Sequence, residues 1–303
     1  MTKIPWTEET WNPVIGCTKI AAGCKNCYAE KMAIRLKSIA ENDLRKNSIQ
    51  AYKKVISCPD LKQGWNGNIV CREDILEDPL HWKKSHLIFV CSMGDLFHEK
   101  VSFEFIDKVM AVIALCPQHT FQILTKRPER MAVYYEDTRT SAWANEATKY
   151  LGRMKLSPPY CLLDGNIKNL WLGTSISTQP DAEKNIPILL QIPAAVRFIS
   201  IEPMLESIDL KHYLPYSSVK CSAYIRGEKL QAIDWVIIGC ESGPGARLCS
   251  LADIDYAIDQ CRQANVPLFL KQIPLSGKCE KDPAKWPKKY QCADLRQYPK
   301  GEK

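Results

Sequence analysis

Short apolar runs recur along the chain, each followed by a turn and then by a stretch with helical periodicity, the alternation of a parallel sheet built from βα units. The runs are residues 11–17 (WNPVIGC), 87–92 (LIFVCS), 120–125 (TFQILT), 170–175 (LWLGTS), 196–202 (VRFISIE), 235–241 (WVIIGCE) and 267–272 (PLFLKQ). The first is the weakest strand, because Pro13 has no amide to give to a ladder. Amphipathic helices lie between the runs. Ser102 precedes FEFIDKVMAVIAL, Pro128 opens ERMAVYY, and Ser250 precedes LADIDYAIDQCRQA. Serine at these positions accepts the first free helical amides, and proline fits the first turn without removing a needed donor.

Six or seven such repeats in 303 residues predict an α/β fold, a partial TIM-type (β/α) barrel with six to seven parallel strands. The barrel is expected over 1–273, with a basic, Pro- and Lys-rich tail over 274–303. Two longer intervals, 58–85 and 212–231, read as loops or small insertions.

Ligands of parallel α/β folds bind beyond the carboxyl ends of the strands, so polar residues that end the apolar runs are the candidates for a site. The second run ends in Ser92, Met93, Gly94 and Asp95, the third in Lys126 and Arg127, and the fourth in Ser175 and Ser177. Glu202 ends the fifth, Glu241 and Ser242 the sixth, and Lys271 and Gln272 the seventh. Acids, bases and hydroxyls converging on one mouth suit a charged, zwitterionic ligand, since each charge needs a partner once out of water. In GCESGPGAR, Gly243 and Gly245 leave amides open to an anion and Arg247 adds a cation, although a plain βα turn explains the same residues.

Composition changes the picture in three ways. Hydrophobic residues at 46% and charged residues at 25% mark an ordinary folded protein. The first residues hold no signal-like apolar run, and no segment offers the roughly 20 apolar residues of a membrane span, so a cytoplasmic protein without a membrane partner is expected. A net charge of +7, from 41 Lys and Arg against 34 Asp and Glu, favours anionic partners such as DNA or RNA. Part of that surplus is the tail, where Lys278, Lys281, Lys285, Lys288 and Lys289 alternate with Pro283 and Pro287 and predict a solvated, poorly ordered segment.

Fourteen cysteines without the dense spacing of a secreted scaffold point to reactive or metal-bound thiols rather than disulfides. Cys17, Cys24 and Cys27 form a C-x6-C-x2-C loop over 17–27. The C-x2-C pair can reach one metal from a tight turn, and a third thiolate on the same loop gives three ligands, leaving one iron of a 4Fe-4S cluster open. Structural zinc, with Cys58 or Cys71 as a fourth ligand, and a redox pair at Cys24 and Cys27 are the alternatives. Cys91 and Cys240 in strands and Cys116 and Cys261 on helix faces read as small core residues, and Cys279 with Cys292 as two ligands of a second metal site. His98 in DLFHE offers an acid or base, although a structural histidine capping a helix start explains it better.

The combination TWNPVIGC, GCKNCYAEK, FVCSMGDLFHE, ILTKRPERM, LWLGTSI, FISIEPML and IDWVIIGCESGPGAR resembles the phage-associated family named after phage gene products thirty-seven and sixty-eight, which is similar to a divergent branch of radical S-adenosylmethionine enzymes. The likeness runs from about Trp6 to Gln272. It implies a 4Fe-4S cluster on Cys17, Cys24 and Cys27, S-adenosylmethionine as cofactor, and an external electron donor. It also implies that Ser92 to Asp95 meet the cofactor's amino group, with Asp95 pairing to the ammonium. Ser175, Glu202, Glu241 and Ser242 would face ribose, amino or substrate groups, and Lys126, Arg127 or Lys271 the carboxylate. The first gap of the cysteine loop is six residues where that superfamily has three, and Asn26 stands where it has an aromatic residue. The implied activity is generation of a 5′-deoxyadenosyl radical for modification or repair of a substrate, nucleic acid among the candidates. The alternative is a zinc-binding nucleic-acid-binding or adaptor protein without radical chemistry.

Overall fold

In the computed structural model of the chain, the residues described are 4–43, 47–57, 64–136, 139–154, 167–215, 224–225, 228–229 and 231–299. They divide into two compact units: unit 1 is Met1–Ile20 with Cys27–Trp171, and unit 2 is Ala21–Asn26 with Leu172–Lys303. The fold is mixed α/β. Its principal strands are β1 (Glu9–Trp11), β2 (Leu87–Val90), β3 (Thr120–Thr125), β4 (Leu170–Ile176), β5 (Val196–Ile201), β6 (Trp235–Gly239), β7 (Leu268–Leu275) and β8 (Lys278–Glu280). They form a mostly parallel eight-stranded sheet whose hydrogen-bonded order follows the chain, with β1 and β8 as its two ends. The expected barrel is therefore not closed.

In unit 1, β1 pairs with β2 and β2 with β3, both parallel, in the registers Trp11↔Val90 and Val90↔Ile123. All four residues of β2 are buried, as a parallel strand covered on both faces requires. The first predicted strand is displaced. Only Glu9–Trp11 joins the sheet, and beyond Pro13 the chain turns so that Val14–Ile15 pairs antiparallel with Val70–Cys71. Proline cannot donate at that point, which ends the ladder where the apolar run alone suggested it would begin.

The longer helices of unit 1 are α1 (Tyr28–Asn42), α2 (Phe103–Leu115), α3 (Pro128–Glu136) and α4 (Thr140–Met154). The Ser102 side chain accepts from the Phe105 amide at the start of α2, and Pro128 is the first residue of α3, both as the sequence predicts. Asp107 of α2, deeply buried, takes the Arg139 guanidinium at 2.7 Å and the Tyr134 hydroxyl at 2.8 Å, so the helical layer carries its own satisfied charge pair.

In unit 2, β5, β6 and β7 are parallel, and β8 folds back antiparallel on β7 through Ser276 and Gly277, both at positive φ (49° and 73°). Helix α5 (Gln179–Leu189) is capped by Thr178, and α6 (Leu251–Gln263) by a reciprocal capping box of Ser250 and Asp253. The interval 212–231 lies largely outside the described residues, as does part of 58–85. No described helix is long and apolar enough to cross a membrane.

The tail departs from expectation. Its lysines are exposed, but Trp286, Tyr290 and Leu295 are buried, the Gln297 amide donates to Leu268 O at 2.8 Å, and Trp235 Nε1 donates to Gln297 O at 2.8 Å. Tyr298 stacks on Trp235, with ring centroids 5.5 Å apart. The segment thus covers β7 of its own unit, driven by aromatic burial that a count of lysines conceals. Trp286→Ala is expected to lower unfolding free energy by about 3–5 kcal/mol in urea denaturation, the cost of emptying a buried indole site. A change within about 0.5 kcal/mol, as for a solvated tail, would contradict this packing.

Candidate functional site

In unit 1 the segment after β2 turns sharply. Cys91 takes φ of 62° and donates its amide to Trp11 O at 2.8 Å. Asn12 Oδ1 then accepts from the Ser92 hydroxyl at 3.1 Å and the Met93 amide at 2.9 Å, while the Tyr28 hydroxyl donates to Ser92 O at 2.8 Å. Gly94 passes against the first loop so closely that an added Cβ would lie 2.6 Å from Val14 O and 3.1 Å from Gly16 O. Only glycine permits that approach. Ser92, Met93 and Gly94 thus hold the stretch leading into Cys17.

Asp95 continues the same work. Its Oδ1 accepts from the Phe97 amide at 3.0 Å and the Thr125 hydroxyl at 2.7 Å, and its Oδ2 from the Lys126 amide at 3.2 Å and Arg127 Nη1 at 3.0 Å. A carboxylate has about four acceptor positions, and here four donors take them. Its pairing with a cofactor ammonium, implied by the resemblance, is therefore replaced by a pairing with Arg127. That guanidinium, itself buried, reaches Thr18 Oγ1 at 2.7 Å, Thr18 O at 3.3 Å, Glu99 Oε1 at 2.8 Å and Cys17 Sγ at 3.8 Å. Burial opposes the Arg127 charge, but Asp95 and Glu99 outweigh it and raise its pKa.

His98 backs this contact. Its Nδ1 accepts from the Lys100 amide at 3.2 Å, which leaves the proton on Nε2, 3.0 Å from Thr18 Oγ1. Burial, followed by the Arg127 charge, lowers the His98 pKa, so the ring is a neutral prop to the loop rather than a helix cap. Burial first and Asp95 second push the Cys17 thiol up to about 12, with Cys27 close enough to contribute.

In unit 2 a second arginine–carboxylate pair holds residues 21–26. Glu241 Oε2 accepts from Asn26 Nδ2 at 2.8 Å, the Arg247 amide at 2.7 Å and Arg247 Nε at 3.0 Å, and its Oε1 accepts from Arg247 Nη2 at 2.5 Å. Arg247 Nη1 donates to Ala22 O at 3.0 Å, and Asn26 donates also to Gly245 O at 3.0 Å. Gly243 and Gly245, at φ of 95° and 72°, make the turn that brings Arg247 back onto Glu241. The GPGAR cation is thus neutralised within its own turn. Burial alone would raise the Glu241 carboxyl, but the bonds from Arg247 and Asn26 overcome it and bring it from 4.5 to about 2. Ser242 is half-buried beside this pair.

Gly23, next to Cys24, sits under Ser177, where an added Cβ would meet Ser177 Oγ at 2.2 Å. That hydroxyl is fully buried and has no hydrogen-bond partner among the described residues. Glu202 differs from the other two acids. Its Oε1 takes Lys271 Nζ at 2.5 Å and Gln272 Nε2 at 3.3 Å, while no hydrogen bond reaches Oε2 among the described residues. Ser175 Oγ contacts the Glu202 carbonyl at 3.4 Å. Of the strand-end acids singled out, Glu202 alone has an oxygen that no hydrogen bond reaches among the described residues.

None of the described cysteines, Cys17, Cys24 and Cys27 included, is in a disulfide. Cys17 and Cys27 belong to unit 1 and Cys24 to unit 2. Among the described residues, no group of three or more His, Cys, Asp or Glu side chains is gathered as a metal ion would need. Cys58 lies outside those residues, and Cys71 is on the short ladder with Val14. Cys91, Cys116, Cys240 and Cys261 are buried as expected, and Cys279 is half-buried. Sequence reasoning missed Asn12, Thr18, Glu99 and Asn26. The signal for Asn12, Thr18 and Asn26 was adjacency to the cysteine loop; none marked Glu99.

Arg127→Met would leave the Asp95 charge buried without its partner and is expected to cost about 3–5 kcal/mol in chemical denaturation, with much of that recovered in the Arg127→Met/Asp95→Leu double variant. Glu241 supplies a pH test. A carboxyl lowered on folding stabilises fully above about pH 4.5 and loses that contribution as pH falls toward about 2. The contribution is on the order of 2 kcal/mol, and Glu241→Gln should flatten the stability profile over that interval in acid titrations followed by circular dichroism.

No curated protein matches the chain, and no solved structure does. A family profile matches residues 1–296, and on that match the chain belongs to the family described as protein of unknown function, DUF5131.

Proposed function

We propose that the chain is an iron–sulfur enzyme of the radical S-adenosylmethionine type, in keeping with its motif resemblance to that superfamily and to the phage gene-product proteins. The observation that carries the proposal is the restraint, within unit 1, of the backbone at Cys17 and Thr18 by the buried Asp95–Arg127 pair. A saturated acid that fixes its arginine supports a backbone that must keep its shape while its side chain does chemistry.

Three cysteines on one short loop are the donor type that a cluster takes, although no three metal-ligating side chains are gathered among the described residues. Within unit 2 the partnerless Ser177 hydroxyl beside Gly23 is a buried donor of the kind that sulfur ligands accept. These three cysteines would hold the 4Fe-4S cluster. When bound, the cluster supplies the electron that cleaves S-adenosylmethionine to a 5′-deoxyadenosyl radical. The protein's own residues hold, orient and shield. Arg127 and His98 fix Thr18 and with it the backbone beside Cys17. Glu202 and Lys271 present an acceptor and a cation of opposite charge, suited to the ammonium and carboxylate of an amino-acid moiety. Glu202 takes over the ammonium role first given to Asp95.

Anaerobic reconstitution should give protein that retains iron and sulfide and forms 5′-deoxyadenosine with a chemical reductant, and Cys→Ala at 17, 24 or 27 should lose both. Zinc in place of iron and sulfide would favour the zinc-adaptor reading and overturn this one. Glu202→Gln should weaken S-adenosylmethionine binding about tenfold at unchanged iron content, measured by equilibrium dialysis.

A further inference from the structure

Helix α1 begins at the cysteine loop, with Cys27 as its N-cap, and its first residue reaches the segment after β2, where the Tyr28 hydroxyl donates to Ser92 O at 2.8 Å. At 3.6 residues per turn the two sides of the helix are distinct. Ala29, Ala33, Lys37 and Ala40 are buried on one side, and Ala29 and Ala33 pack with Tyr52, Val55 and Met93 of the same unit. The two acids of the helix belong to that side and are engaged there. Glu30 pairs with Lys19 at 2.6 Å and accepts from the Trp65 amide at 3.0 Å, and Glu41 pairs with Lys37 at 3.8 Å.

The other side presents Tyr28, Lys31, Met32 and Arg35, all exposed, within about 100° of arc. Neither Lys31 nor Arg35 has a hydrogen bond or ion pair among the described residues. Exposed apolar side chains are ordinarily scattered singly. Here Tyr28, 51% exposed, and Met32, 43% exposed, stand one turn apart, and the two cations are likewise one turn apart, about 6 Å along the axis. The face therefore offers an aromatic ring and a thioether among unpaired positive charges, with no acid among them. A ring whose hydroxyl is already bonded loses little freedom when something stacks on it. Two exposed apolar residues are too few for a helix that lies in a membrane surface. A polyanion with flat apolar groups matches both the charge and the ring, and an unpaired nucleic-acid strand is that chemistry.

We propose that this face of α1 binds a single strand of DNA or RNA, with Tyr28 stacking on a base while Lys31 and Arg35 meet its phosphates. Duplexes are excluded by the same chemistry, because their bases are already stacked and offer the ring no free face. That such a strand is the enzyme's substrate rests on the iron–sulfur reading; the binding itself does not. The face starts at Cys27, so a strand held on it runs up to the loop assigned to the cluster.

The test is fluorescence anisotropy of a labelled oligothymidylate of about 12 nucleotides, titrated with the purified full chain from about 50 to about 200 mM salt. Affinity should fall as salt rises. Lys31→Gln/Arg35→Gln should weaken binding tenfold or more and reduce the salt slope by about 1.4, two phosphates at about 0.7 each. Tyr28→Leu should weaken it about tenfold with the slope unchanged, whereas Tyr28→Phe, which keeps the ring, should bind as the parent does. Lys288→Gln, in the tail of unit 2, should have no effect. Circular dichroism confirms that each variant is folded. Absence of binding at about 50 mM salt, a salt slope unchanged in the double variant, tighter binding of a duplex of the same length, or stronger binding to anionic phospholipid vesicles would overturn the proposal. So would a dimer in sedimentation velocity that Met32→Lys dissolves, since the face would then belong to a second copy. Oligonucleotide binding by protein that forms no 5′-deoxyadenosine upholds this surface and counts only against the enzyme reading.

Discussion

Asp95 accepts four hydrogen bonds, and that saturation organises the strand-end loops of unit 1. A buried ion pair gains little net stability, because desolvation of two charges offsets their attraction. What the pair supplies is definition. With Asp95 fixed by two amides and a hydroxyl, the Arg127 guanidinium has one orientation, and its second edge then dictates where Thr18 and Cys17 lie. The close passage of Gly94 under Val14 and Gly16 follows from the same geometry, since a side chain there would lift the first loop off its supports.

The same accounting of acceptor positions separates residues that support from residues that can meet a ligand. Glu241, like Asp95, accepts four hydrogen bonds with at least one on each oxygen, and its low pKa is the thermodynamic mark of donors already in place. Glu202 is built from similar neighbours, a cation and an amide, but both use one oxygen. Three acids at strand ends therefore fall into two kinds, and the distinction rests on hydrogen-bond count rather than on position in the fold. An acid whose lone pairs are taken can reach a new partner only by giving up an old one, which inside a protein is costly.

The sequence announced the strands and helix starts well, for physical reasons. Strands buried on both faces leave unbroken apolar runs such as LIFV and WVIIG, and Ser102 and Ser250 cap helices through contacts only three residues long. Pairings were not legible to the same degree. Asp95 and Arg127 are 32 residues apart and Asn26 and Glu241 are 215 apart, so a charged residue after a strand can be recognised as polar without revealing whom it serves. The tail shows the converse error. Its lysines dominate the composition, but Trp286, Tyr290 and Leu295 decide its placement, because a few large side chains can be buried while the charges stay in water.

Cysteine content was the most visible chemical signal in this chain, and burial is what gives it meaning. A thiol removed from water without a cation stays protonated, so Cys91, Cys116 and Cys261 behave as small apolar residues whatever their number. Cys17 shares that desolvation but also faces Arg127, a cation that a core thiol would not have. Cys279 escapes full burial because β8 is short and stands at the end of the sheet order. Chemistry in a cysteine-rich chain thus turns on the few sulfurs that meet a positive partner, and for Cys17 that partner is Arg127, just after β3.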